Sequence, residues 1–231
     1  MTRWIVLAVT AGALVVSGTG CRRGGLAYWA DRARAEGLTS ISYGEIVCVV
    51  PGTLADAVDD WTVLVAEPVS SPATQTHTDT DISTWHLLRV TEVLSTPRRK
   101  QAACTGLPPA NAWPGRDELA VEVSGGTAVV DGIAITEASS LGRKRFEVGD
   151  RYLLIAHVCP DGRAWFPHGG GVDVVTLGAD NRVTTPRPRW PVTLVDEIVE
   201  LKTLDRVAER VRQLLVRRAR GETEPRATAR M

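Results

Sequence analysis

Four cysteines and four histidines carry most of the reactive chemistry available to this chain, and their spacing decides what that chemistry can be. His157 and Cys159 stand two apart. In a strand, residues two apart share a face. His168 follows beyond the turn sequence Pro160-Asp161-Gly162 and could approach them. Three such ligands would begin a metal site, but no fourth suggests itself. The chain also has no C-x-x-C pair and no H-E-x-x-H helix motif, so the usual zinc-ligand spacings are missing. The expectation is that these histidines serve the core or a polar edge, with no metal and no cofactor. The competing reading is an enzyme, a hydrolase or a metal-dependent activity centred on His157, Cys159 and His168.

Other catalytic signatures are absent. There is no G-x-S-x-G nucleophile elbow. His77 and His86 have Asp79, Asp81 and Ser83 nearby, but such residues populate any solvated loop, and a nucleophile–base–orienter set requires geometry. Asp79 and Asp81 lack the spaced oxygen ligands and glycine of an EF-hand. His168-Gly169-Gly170-Gly171 lacks the Lys-Ser/Thr of a phosphate loop. Trp61, Trp85, Trp113, Trp165 and Trp190 could line a sugar- or peptide-binding face, although Trp61 and Trp85 fall in apolar segments suited to core packing.

The elements that must position these residues read as mainly β. Segments 45–50, 61–69, 84–94, 118–124, 127–136, 151–159, 164–166 and 173–177 are β-branched, alternating or apolar, and Gly, Pro and Asp punctuate them. Many short strands with such turns point to a small closed or partly open barrel, OB-like, formed as one sheet over residues 41–190. Polar 74–81 and Pro-rich 95–117 read as loops. After Pro191 the apolar period becomes helical through Leu194, Ile198, Leu201, Leu204, Val207, Val211 and Leu214, giving one C-terminal α-helix over 191–220. Thr203 could cap a second helix from Leu204 and so break it. Residues 221–231 are polar and read as a disordered tail.

Arg3, an uncharged apolar stretch over 5–16 and small residues to Gly20 have the order of an export signal, here 1–20. Gly20-Cys21 resembles the end of a bacterial lipobox, with Gly18 where Leu is usual. Cys21 would then be lipidated and anchor the chain to the membrane. Ordinary cleaved secretion and an uncleaved anchor are the alternatives. Residues 21–40 read as a tether with room for a short helix ending at Gly37.

Export permits disulfides. With Cys21 lipidated, Cys48, Cys104 and Cys159 remain, enough for one bridge. Cys48, between Val47 and Val49, reads as a small buried hydrophobe. Cys104 in the Pro-rich loop and Cys159 at a hairpin end form the expected pair. Sequence does not determine connectivity, so unpaired thiols stand as the alternative.

The segments WTVLVAEPVSS, TWHLLRVTEVLS, SGGTAVVDGIAIT and FEVGDRYLLIA, in this order, resemble an uncharacterised family of exported bacterial proteins with a short β-barrel domain. The resemblance spans about residues 53–185 and implies the fold and an exported location, but no activity. Phe146, Gly149, Tyr152, Leu153 and Leu154 also resemble a late strand in the OB-like barrel of netrin-type and metalloproteinase-inhibitor domains. Those inhibitors present a disulfide-bonded N-terminal cysteine to a protease zinc. Cys21 is lipidated or far from the barrel, so inhibition does not carry over.

The formal net charge is zero, and no overall field steers the chain toward nucleic acid. The expectation is therefore an exported lipoprotein or secreted periplasmic module. It binds an envelope protein or peptide, reaches the membrane through its lipid anchor, and has no nucleic-acid partner.

Overall fold

The computed structural model describes residues 25–43, 52–69, 74–78, 81–98, 104, 106–137, 146–166, 173–185 and 193–222. Residues 1–20, expected as an export signal, Cys21, residues 45–50, expected as a strand with Cys48, and Asp79 lie outside these residues, as do His168 to Gly171, Trp190, Pro191 and residues 223–231 of the expected tail. In chain order the elements are α1 (Leu26–Ala35), β1 (Ser40–Tyr43), α2 (Leu54–Asp60), β2 (Thr62–Pro68), β3 (Thr74–His77) and β4 (Ile82–Ser95). A short 3-10 turn (Ala110–Ala112) precedes β5 (Glu118–Ser124), β6 (Gly126–Val130), β7 (Ile133–Glu137), β8 (Arg151–Val158), β9 (Arg163–Trp165) and β10 (Val174–Leu177). Two helices, α3 (Thr193–Leu201) and α4 (Leu204–Ala219), follow.

Strand β8 is buried at nearly every position rather than at alternate ones. A strand reads this way when both of its faces are covered. Tyr152, Leu154 and Ala156 point into a barrel with Leu64, Leu88 and Val121, whereas Leu153 and Ile155 point outward. That outer face packs on Leu194 and Ile198 of α3 and on Val207 and Val211 of α4.

The barrel closes through the circuit β8–β2–β4–β5–β9, with β9 returning to β8. All neighbours are antiparallel except β5 and β9, which run parallel. This Greek-key circuit is that of an OB-like barrel. Register shifts at Val63/Leu64 and Val65/Ala66 let the long strand β4 curl around it, because bulges increase local twist.

Several expectations change. The strands do not form one sheet: β6 and β7 pair with β1 in a separate three-stranded sheet. Gly125 and Gly126 have φ of 107° and 145°, conformations open to glycine, and they turn the chain out of the barrel between β5 and β6. Polar 74–77 is a strand, β3, which runs along β4. Its polarity suits an edge, and Thr76 Oγ1 accepts from the indole Nε1 of Trp85 at 3.1 Å. The short helix expected in 21–40 is present as α1, but it is packed rather than a loose tether, burying Leu26, Trp29, Ala30 and Ala33 against Ile133 and Ile135 of β7. The single C-terminal helix is a pair. Lys202 adopts φ 66°, and the backbone of 202–204 bonds to Asn181 and Val183, so the break is held from outside the helices. Thr203 caps α4 by accepting from Arg206 N–H.

Candidate functional site

Outward-facing His157 and Cys159 at the end of β8 are brought against the loop between β4 and β5. Cys104 of that loop is joined to Cys159 by a disulfide, with Cα atoms 6.2 Å apart and a sequence separation of 55. His157 Nε2 lies 3.5 Å from Cys159 Sγ. The Cys104 backbone N–H donates to the same sulfur at 3.0 Å. The imidazole stacks on Trp165 of β9 at 5.1 Å between ring centroids and meets Trp61 edge-on at 6.3 Å. His157 is 2% exposed, so its ring is fixed by packing rather than by solvent.

His157 and Cys159 lie together as their spacing predicts, and the expected Cys104–Cys159 bridge adds Cys104 to them, whereas His168 lies outside the described residues. One ligand atom from each of Cys104, His157 and Cys159 lies within 4.8 Å of the others. While the disulfide is intact the sulfurs are bonded to each other, and the group acts as a covalent clamp.

The clamp is one of several anchors on the same loop. Arg163 of β9 donates to the Gly106 carbonyl and also pairs with Asp161 at 2.7 Å. Its guanidinium holds the Asp161 carboxyl below the usual carboxylate range. Ala112 is buried with Trp85 and Ala120 on the outer wall of β4 and β5. Pro114 abuts Gly162, whose φ of 82° makes the β8–β9 turn. Although held at these points, the loop leaves Leu107 68% and Trp113 47% exposed. Sequence reading missed this pairing of fixed backbone and bare apolar side chains. Its signal was the concentration of prolines beside a cysteine.

The remaining candidates disperse. His86 faces the barrel interior against Phe146, with ring centroids 4.9 Å apart, and burial lowers its pKa to about 4. His77 is exposed on β3 opposite Ile82. Ser83 Oγ donates to Glu122 at 2.7 Å. Asp81 closes a tight turn with Thr78. Among the described residues, these side chains form no group of three possible metal ligands. Of the described tryptophans in that set, Trp85 is core, Trp61 and Trp165 flank His157, and Trp113 stands on the loop.

The 146–154 cluster has a structural use. Tyr152 accepts from Glu147 N–H at 3.0 Å and donates to Asp150 at 3.1 Å, tying the turn that enters β8. Burial is the main reason its phenol is pushed up to about 12.

The fold and site define an OB-like barrel with a C-terminal helix pair and a disulfide-clamped loop. Comparison with known protein families, curated proteins and solved structures finds no match. No helix among the described residues is long and apolar enough to cross a membrane.

Proposed function

We propose that this chain is an exported, lipid-anchored envelope module that binds a protein or peptide partner through the clamped loop between β4 and β5. The observation that carries this reading is the exposure of Leu107 and Trp113 on a backbone tied to the barrel by the disulfide, by Arg163 and by Pro114. Binding energy concentrates in a few large apolar anchors. A loop already ordered before binding loses less entropy when it docks. The packed barrel interior, filled by Leu64, Leu88, Phe146, Tyr152 and Leu154, favours recognition on the outside. The order of Arg3, the 5–16 apolar stretch and Gly20-Cys21 supports export and anchoring.

Photo-crosslinking groups placed at 107 and 113 should trap a discrete envelope partner, and a group at exposed Val129 on β6 should not. The double variant Leu107→Ala, Trp113→Ala should keep its fold and lose the partner. Equal crosslinking from all three positions, or none from the loop, overturns the reading. Anchoring is tested separately by the mass of the membrane-bound chain, which should begin at a lipidated Cys21. An intact Met1 in the soluble fraction contradicts it.

A further inference from the structure

The disulfide fixes only one of the states open to Cys104, Cys159 and His157. We propose that reduction converts this clamp into a binding site for a single Zn²⁺, held by the two thiolates and His157 Nε2, with a fourth position left for water.

Tetrahedral zinc, with Zn–S near 2.3 Å and Zn–N near 2.0 Å, separates a sulfur and a nitrogen ligand by about 3.5 Å and two sulfurs by about 3.8 Å. His157 Nε2 and Cys159 Sγ are already 3.5 Å apart. Only the Cys104 sulfur must withdraw, and the three ligand atoms start within 4.8 Å of one another. The imidazole is held by Trp165 and Trp61 with Nε2 toward the sulfurs. That orientation is the part of a metal site usually supplied by surrounding contacts. The Cys104 N–H directed at Cys159 Sγ at 3.0 Å would support a metal-bound thiolate in the same way.

Charge favours zinc over a monovalent soft ion. Two thiolates and Zn²⁺ sum to zero, which suits a place where His157 is 2% and Cys159 6% exposed. With Cu⁺ the same ligands would carry a buried net negative charge.

The step balances. A dithiol reductant gives two electrons and two protons to the Cys104–Cys159 bond and becomes a disulfide itself. Zn²⁺ then displaces the two thiol protons to solvent and takes the Nε2 lone pair of His157. A disulfide oxidant reverses both steps by thiol–disulfide exchange: it takes two electrons from the thiolates and two protons from solvent to become a dithiol, the Cys104–Cys159 bond re-forms and Zn²⁺ is released, so the site is gated by the redox state of the loop clamp.

The test uses the full-length chain with Cys21→Ser and Cys48→Ser, so that no other thiol contributes. It is reduced with a phosphine, which is then removed anaerobically, and titrated with Co²⁺. Reduced protein should take up a single Co²⁺ with thiolate-to-cobalt charge transfer and tetrahedral ligand-field bands, and Zn²⁺ should bleach both. Oxidised protein should show neither. Cys104→Ser and His157→Gln should weaken uptake by more than the roughly 10–100-fold expected when only a supporting contact is lost. Absence of these bands in reduced protein overturns the proposal, as does uptake unchanged by either substitution. Far-UV circular dichroism accompanies each titration. A reduced chain that has lost its barrel signal also overturns it, because the ligands need β8 and the loop in register. Partner crosslinking from Leu107 and Trp113 is unaffected by these outcomes in oxidised protein, so the two proposals fail separately.

Discussion

His86 and Cys104 show how far a single residue's behaviour depends on what surrounds it. Burial beside Phe146 holds His86 neutral down to about pH 4 in the folded chain, whereas an unfolded histidine protonates near 6.5. The unfolded state therefore binds the extra proton first as the solution is acidified. Stability present above about pH 6.5 is lost as the pH falls toward 4, by up to about 3 kcal/mol. Urea midpoints should drop between about pH 7.5 and pH 5 in the native chain, and His86→Leu should flatten that drop; an unchanged slope would remove His86 as its source. For Cys104 and Cys159, a bridge spanning 55 positions stabilises by about 4 kcal/mol in the chain-entropy model. Replacing both by Ser should lower the midpoint accordingly. Alkylation of protein from an oxidising compartment should leave both cysteines unlabelled until reductant is added.

At the scale of elements, the turns and caps make separate demands. Gly162 has φ 82°, and a Cβ there would lie 2.8 Å from Pro114 and 3.1 Å from the Glu118 carbonyl. Gly162→Ala should cost about 2 kcal/mol through backbone strain and crowding, and should speed proteolysis within 104–117. Wild-type cleavage rates in that variant would show that Pro114 does not help hold the loop. Thr203 caps α4 by accepting from Arg206 N–H, so Thr203→Ala should lose about 1 kcal/mol in denaturant. The capping box of Thr53 and Asp56 opens α2, an element the strand-dominated reading passed over although the T-x-x-D pattern was in view. Polar β3 was missed for a different reason: an edge strand needs no apolar face when a neighbour such as β4 supplies its hydrogen bonds.

For the molecule as a whole, the helix pair is part of the core. Leu194, Ile198, Val207 and Val211 cover the outer wall formed by Val63, Val65, Leu153 and Ile155. Ile198→Ala should destabilise by about 2–4 kcal/mol, since a fully buried side chain leaves a cavity behind. A chain ending before Thr193 should expose that wall and fail to give a cooperative unfolding transition. A cooperative transition in the truncated chain would show that the barrel is sufficient alone. Far-UV circular dichroism of the intact protein should carry a strong β contribution beside the signal of its helices.

Local pattern alone determined the β class, the barrel strands β2, β4, β5 and β8, the helical end of the chain and the proximity of His157 to Cys159. Each of these rests on periodicity or short spacing, which one segment carries by itself. Tertiary structure decided the rest. Closure of β9 onto β8, the departure of β6 and β7 into a second sheet and the break at Lys202 all depend on hydrogen bonds between distant segments. The site is divided: Cys104–Cys159 is the pair expected from the sequence with unpaired thiols as the alternative, and the tertiary structure decides between them. Cys104 meets His157 and Cys159 where the described part of the loop is held to the barrel by Arg163 at Gly106 and by Ala112. That convergence is a property of the closed barrel, in which residues 55 positions apart become neighbours.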